Sequence, residues 1–237
     1  MQDLDPGVCE AVRHFWKTRR RQATRQGAGT LDRSGRGAVT GGKQMDGFIR
    51  LVRKLLIASN VPESCIAVDK RVELPGWFRA EKRWDLVVIH QRELLAAVEF
   101  KSQIGPSFGN NFNNRTEEAL GGATDIWAAY REGAFKPSAR PFLGYLMLLE
   151  DCGRSQAPVK TASPHFPVFP EFRRASYRDR YAVLMEKLLR DRLYDGTCFL
   201  LSKNTAGTSG SYEEPNPELT FAKFVAPLLA RVVSVCL

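Results

Sequence analysis

Long apolar runs are missing from this chain. The longest, such as Phe142 to Leu149, fall well short of the ~20 residues a membrane-spanning helix needs. A secretory leader is missing as well: the N-terminus is polar and soon becomes basic, so a cytoplasmic protein is expected. The five cysteines (Cys9, Cys65, Cys152, Cys198, Cys236) are odd in number and widely spaced, with no C-x-x-C pair. That argues against a zinc site or a dithiol redox site and for reduced, mostly buried thiols. His14, His90 and His165 have no partners at metal-binding spacing, and His165, beside Phe166 and Phe169 in a proline-rich stretch, reads as a packing residue. There is no internal repeat at solenoid spacing.

Acids are scarce in one region. From Arg13 to Lys43 the only acid is Asp32, and residues 1–43 carry nine Lys or Arg against four acids. More than half of the net charge of +9 therefore sits in under a fifth of the chain. Such a charge favours a polyanionic partner without identifying it. From about residue 17 to residue 43, glycines interleave with Arg19, Arg20, Arg21, Arg25, Arg33 and Arg36, a composition too polar and flexible to pack as a regular element. This arm suits a phosphate backbone, or serves only as a solubilising linker.

The rest reads as one domain spanning residues 1–237, with a single sizeable core. Apolar spacing predicts a helix over Val8–Lys17 and a second from Asp46 to Asn60, striped by Phe48, Ile49, Val52, Leu55 and Leu56. Cys65–Leu74 reads as a strand. Trp84–His90 and Leu94–Phe100 form a hairpin around Gln91, Arg92 and Glu93. A helix over about Asn111–Arg131, a strand from Pro141 to Leu149, a proline-broken loop, a helix over Tyr177–Leu193, a strand over Cys198–Leu201 and a helix over Leu219–Val235 complete the order. The expected class is α/β, with a central mixed β-sheet flanked by helices.

The hairpin carries the chemistry. If it is symmetric about Arg92, Asp85 opposes Glu99, with Cβ atoms ~5 Å apart on one face. Lys101 shares that face, and Phe100 points the other way into the core. Two adjacent carboxylates repel unless a cation lies between them, and hard oxygens that leave room for water and phosphate suit Mg²⁺. A structural ion pair is the alternative, but it would embed charges in the apolar runs Leu86–Ile89 and Leu95–Val98, where they are costly without a function.

The segments Trp84-Asp85-Leu86-Val87-Val88 and Ala97-Val98-Glu99-Phe100-Lys101-Ser102-Gln103 resemble the core of the PD-(D/E)xK nucleases, with Trp84 in place of the proline of that pattern. A wider resemblance rests on Gly41 to Phe48, Gly105 to Arg115 and Ser163 to Pro170, strings similar to the XhoI-type restriction endonucleases. It implies a restriction-endonuclease-like core and a bacterial type II enzyme acting as a homodimer with Mg²⁺ on double-stranded DNA at the palindrome 5′-CTCGAG-3′. Asp85 and Glu99 would hold the metal. Lys101 would position or deprotonate the attacking water, or neutralise charge on the phosphorane.

Further residues fit that reading. Asn110, Asn111, Asn113, Asn114 and Arg115 sit where a loop becomes a helix, and amide and guanidinium groups suit base edges and phosphates. Helix capping is the alternative, although four asparagines exceed what a cap needs. Asp46 can be a further acid near the metal or an ordinary N-cap, and Glu81 competes for that accessory role. Gln103 shares the face of Glu99 and Lys101 if the strand continues, where it can touch phosphate or water. Two competing readings are a repair or junction-resolving nuclease with the same core, and a DNA-binding protein that keeps the fold without cutting.

Overall fold

The computed structural model of the protein describes residues 4–27 and 43–236. The first helix, α1 (Asp5–Gly27), buries Val8, Ala11, Val12, Phe15 and Trp16 at helical spacing. It runs well past Lys17, where the sequence suggested that a flexible arm begins. Arg and Gln are good helix formers, and no glycine interrupts the run from Val8 until Gly27, so Arg19, Arg20 and Arg21 lie on regular helix. The rest of the expected arm, residues 28–42, lies outside the described residues. Helix α2 (Asp46–Ala58) buries Phe48, Val52, Leu55 and Leu56 and ends where Asn60 takes a left-handed φ of 65°.

The expected strand over Cys65–Leu74 is two strands. β1 (Ile66–Val68) stops at Asp69 and Arg71, whose φ values of 62° and 60° turn the chain out of the extended region. β2 (Glu73–Pro75) then pairs with β3 (Glu81–Arg83) in a separate two-stranded ribbon. The hairpin follows as β4 (Leu86–His90) and β5 (Glu93–Gln103). Its turn is the pair Gln91-Arg92, both at positive φ, as a two-residue hairpin loop requires. A register shift between Val88 and Ile89 adds one residue to β5, so the ladder beyond it (Leu86 opposite Val98, Val87 opposite Ala97) matches a hairpin symmetric about Arg92.

Helix α3 (Phe108–Arg131) crosses over to β6 (Phe142–Glu150), and α4 (Tyr177–Arg190), opened by a reciprocal Ser176–Asp179 cap, leads to β7 (Gly196–Ser202). Helix α5 (Phe221–Cys236) closes the fold. The five-stranded sheet has the order β1-β4-β5-β6-β7, antiparallel from β1 to β5 and parallel from β5 to β7. This is the mixed, helix-flanked sheet that the order of elements suggested.

Alternation along the strands builds two apolar layers. Leu86, Val88, Val98 and Phe100 pack with α1, α2 and α5 on one face. Val87, Ala97, Tyr145 and Met147 pack with α3 and α4 on the other. Burying each large aliphatic side chain contributes about 1.5–3 kcal/mol relative to exposure. A one-residue slip would send every side chain to the wrong layer, so the packing fixes the register. The cysteines form no disulfides, and only Cys198 is fully buried, fewer than expected: Cys65, Cys152 and Cys236 lie at element ends and Cys9 is half-buried in α1. Among the described residues no helix is long and apolar enough to cross a membrane.

Candidate active site

Asp85 stands at the bend just before β4. Its N–H donates to the Val98 carbonyl (3.2 Å), which extends the β4–β5 ladder by one step and sets it opposite Glu99. Its Oδ2 accepts the Phe100 N–H at 2.7 Å. Glu99 lies in the middle of a central strand and is only 4% exposed. Lys101 Nζ, two residues along the same face, is 2.6 Å from Glu99 Oε1.

The other carboxylate oxygen has a partner that the sequence did not suggest: Lys82 Nζ lies 2.9 Å from Glu99 Oε2. Lys82 comes from β3, and its ammonium also sits 4.1 Å from the centroid of the Trp84 ring. Helix α3 leaves room for this side chain by carrying glycine at 122, where an added Cβ would stand 3.1 Å from Lys82 Cε and 3.9 Å from Glu99 Oε2. The charges continue outward in alternation. Lys101 is 3.9 Å from Glu118, which pairs with Arg115 at 2.8 Å.

This environment drives the two acids apart. Burial raises the Asp85 carboxyl above its ordinary value; Lys101 and the Phe100 N–H oppose that shift, and Glu99 adds to it. Burial also works to raise Glu99, but the charges and hydrogen bonds of Lys101 and Lys82 outweigh it and hold this carboxyl below the usual range. Lys101 resists the downward pull of its own burial because Glu99 and Asp85 raise it, so it stays an ammonium. Tyr145 and Tyr194 are pushed well above the ordinary tyrosine value, by burial first and by Glu99 second.

Two carboxylates on adjacent strands offer hard oxygen ligands, and both oxygens of Glu99 already face positive charge, so the donor set fits a divalent cation. Among the described residues no three His, Cys, Asp or Glu side chains gather into a metal cage. Asp85 and Glu99 would therefore suit an ion that keeps much of its water, as Mg²⁺ does.

The remaining candidate residues fall in three places. Asp46 is the first residue of α2, not its cap: Met45 holds the cap position and makes no side-chain cap bond. Burial raises the Asp46 carboxyl, as does Asp69, against Arg50, His14 and Lys43; these neighbours are not the groups around Glu99, and α2 packs on the opposite face of the sheet. Gln103 does share the face of Glu99, but it is buried and its amide is engaged at both ends, accepting from the Tyr181 hydroxyl and donating to the Phe108 carbonyl at 2.9 Å. It braces the corner between β5 and α3. Glu81 is exposed on β3, next to Lys82 in sequence.

Asn110, Asn111, Asn113 and Asn114 lie inside the first turns of α3, after the cap position Ser107, so none of them is the N-cap. Asn110, Asn113 and Asn114 are exposed, whereas Arg115 is partly buried and paired with Glu118. The second half of α1 lies near the same end of the sheet. Burial lowers Arg19 against the attraction of Glu150, which in turn accepts the Gly105 N–H at 2.8 Å, and Arg20 donates to the Asn204 carbonyl at 3.2 Å. Basic α1 and the asparagine-rich turns of α3 therefore flank the ends of β5, β6 and β7, while Lys101 and Glu99 lie one to two turns further along α3.

The chain resembles known proteins over most of its length. The family described as restriction endonuclease XhoI matches residues 24–214. The chain is 50% identical over 208 residues to the type II restriction enzyme BstVI of Geobacillus stearothermophilus, covering 86% of this chain and 93% of that enzyme. It is 48% identical over 156 residues to XhoI of Xanthomonas vasicola (65% of this chain, 63% of that enzyme) and 47% identical over 167 residues to AbrI of Azospirillum brasilense (70% and 75%). No solved structure matches at a comparable level. With a family match across most of its length and a carboxylate–lysine centre on the hairpin inside it, the chain belongs to the XhoI family of restriction endonucleases, enzymes that hydrolyse double-stranded DNA.

Proposed function

We propose that this chain cuts both strands of duplex DNA at the palindrome CTCGAG by attack of water on a phosphodiester, with Mg²⁺ held by Asp85 and Glu99. The observation that carries this reading is the meeting of Asp85, Glu99, Lys101 and Lys82 at one buried point of the sheet. The bound ion would supply Lewis-acid polarisation of the phosphate and acidification of a coordinated water. Glu99 offers one oxygen to that ion while Lys82 holds the other and fixes the carboxylate plane. Lys101 has a second carboxylate, Glu118, 3.9 Å away, so it can leave Glu99 Oε1 and still be paired. Because it is held as an ammonium, it serves better to orient water and offset phosphorane charge than to accept a proton.

Cutting both strands of a palindrome calls for a two-fold pair of active sites, so the active form is a homodimer. Asn110, Asn111, Asn113, Asn114 and Arg115 contact bases and nearby phosphates, and Arg19, Arg20 and Arg21 contact the phosphate backbone. Asp46 and Gln103 play at most accessory roles, the first through its local charge and the second by bracing β5. Digestion of a plasmid carrying one CTCGAG site, beside a plasmid lacking it, tests the reading. A single cut of the first plasmid alone, present with Mg²⁺ and absent with EDTA, is the expected result. Cleavage of both plasmids would discard the proposed site, and full activity in EDTA would discard the metal.

A further inference from the structure

The five-residue connection between β2 and β3, Gly76 to Ala80, exposes two large aromatic side chains side by side. Trp77 is 55% exposed and Phe78 72% exposed. Exposed aromatics on a loose loop would mean little, but this loop is fixed from beneath. Asp125 of α3, only 2% exposed, accepts the N–H groups of both Trp77 (2.8 Å) and Phe78 (2.7 Å) and pairs with Arg79 Nε at 2.8 Å. Gly76 completes the clamp: a Cβ there would lie 2.4 Å from Asp125 Oδ2. A buried carboxylate is costly unless its hydrogen bonds are satisfied. Here all three partners, two backbone N–H groups and the Arg79 guanidinium, belong to a tip that presents apolar surface to water.

The tip adjoins the active centre. Three residues beyond Arg79, Lys82 grips Glu99. On α3 the neighbours coincide too: Gly121 lies against Arg79 Nη2 (3.9 Å from its added Cβ), Gly122 against Lys82, and Asp125 against the loop. A preorganised pair of aromatics beside a guanidinium, continuous with a phosphate-cleaving site on a protein of net charge +9, has the chemistry of a base-stacking wedge.

We propose that Trp77 and Phe78 pack against, and partly unstack, bases of the duplex next to the scissile phosphate, with Arg79 at the adjacent backbone and Asp125 as the positioning residue. This rests on the DNA-cleaving reading above and goes beyond it by assigning a contact outside the carboxylate–lysine centre.

The test uses full-length protein without divalent metal and CTCGAG duplexes carrying 2-aminopurine at successive positions. Wild-type protein should raise 2-aminopurine fluorescence at one position. Of the four tryptophans, only Trp77 is substantially exposed, so DNA should shield tryptophan emission from iodide quenching. Trp77→Ala/Phe78→Ala, changed only at exposed positions, should keep its circular dichroism and Tm but bind roughly 10-fold or more weakly and lose the 2-aminopurine signal. Unchanged affinity and signal in this variant, while wild type binds, would overturn the wedge alone. If the variant sediments as a monomer where wild type is a dimer, the tip is a subunit contact and the proposal falls. Absence of wild-type binding to any duplex would remove the DNA reading itself, and the wedge with it.

Discussion

Replacing Lys82 with methionine isolates one charge at the proposed active centre while keeping much of the side chain's bulk. At an effective dielectric of about 20, an ammonium 2.9 Å from a carboxylate oxygen is attracted by roughly 6 kcal/mol. Most of this is offset by desolvation of two groups whose side chains are only 13% and 5% exposed, and Lys101 still holds the other oxygen at 2.6 Å. The net loss is therefore near ~2 kcal/mol, within the range for a hydrogen bond to a charged group. For a chain of 237 residues that lowers Tm by about 4–8 °C. The loss should depend on pH. Glu99 is held below its unfolded value, so its stabilising effect is present above the unfolded value and disappears as pH falls through the folded one. Removing Lys82 raises the folded value, so the variant has less of this stability to lose and stops losing it at a higher pH than wild type does. The deficit is full at neutral pH and closes once Glu99 is protonated in both proteins. Mg²⁺ should raise the Tm of Lys82→Met more than that of wild type, because a nearby competing cation is gone. Thermal unfolding from neutral to acid pH, with and without Mg²⁺, measures both effects. A deficit that is the same at every pH, with equal Mg²⁺ shifts in the two proteins, would mean that Lys82 only packs against Trp84, and the electrostatic reasoning would fail.

Glu99→Gln should abolish cleavage yet leave duplex binding, measured by fluorescence anisotropy without divalent metal, at least as tight, because Lys82 and Lys101 then face a neutral amide. Gly122→Ala pushes a methyl group toward Lys82 Cε, 3.1 Å from the added carbon, and should slow single-turnover cleavage by roughly 10- to 100-fold while leaving the circular dichroism unchanged. Changing the exposed Arg20 and Arg21 to glutamine should reduce the slope of log affinity against log salt by about 0.9 for each phosphate that these side chains neutralise; an unchanged slope would take this end of α1 off the DNA. Asn113→Ala/Asn114→Ala should weaken binding to CTCGAG duplexes more than to unrelated ones, and equal weakening would assign these side chains to phosphate only.

The pairing of Asp85 with Glu99 was legible because the period of a strand is two and the hairpin has one centre. It survived an error in the turn: two residues at positive φ plus one bulged residue on β5 give the same register as the three-residue loop that the sequence suggested. Lys82 was not legible for the same reason. Counted along a continuous strand, positions 82 and 85 fall on opposite faces, and only the break between β3 and β4 at Trp84-Asp85 brings the lysine back over Glu99. Gly122 and Asp125 belong to a helix whose relation to β3 is set by the crossover to β6, and no local pattern marks them. Of the alternatives left open for the two carboxylates, the structure shows the ion pair, and that pair is compatible with the proposed metal site. A glutamate 4% exposed in the central strand needs positive charge to remain ionised, and it draws that charge from lysines on two different elements. The pairing that lets Glu99 stay ionised when the sheet folds is also what the proposed cation site requires. Lys101, with Glu118 as a second partner, is the group free to yield its place, and Lys82, wedged between Trp84 and Gly122, is the group that holds the carboxylate still.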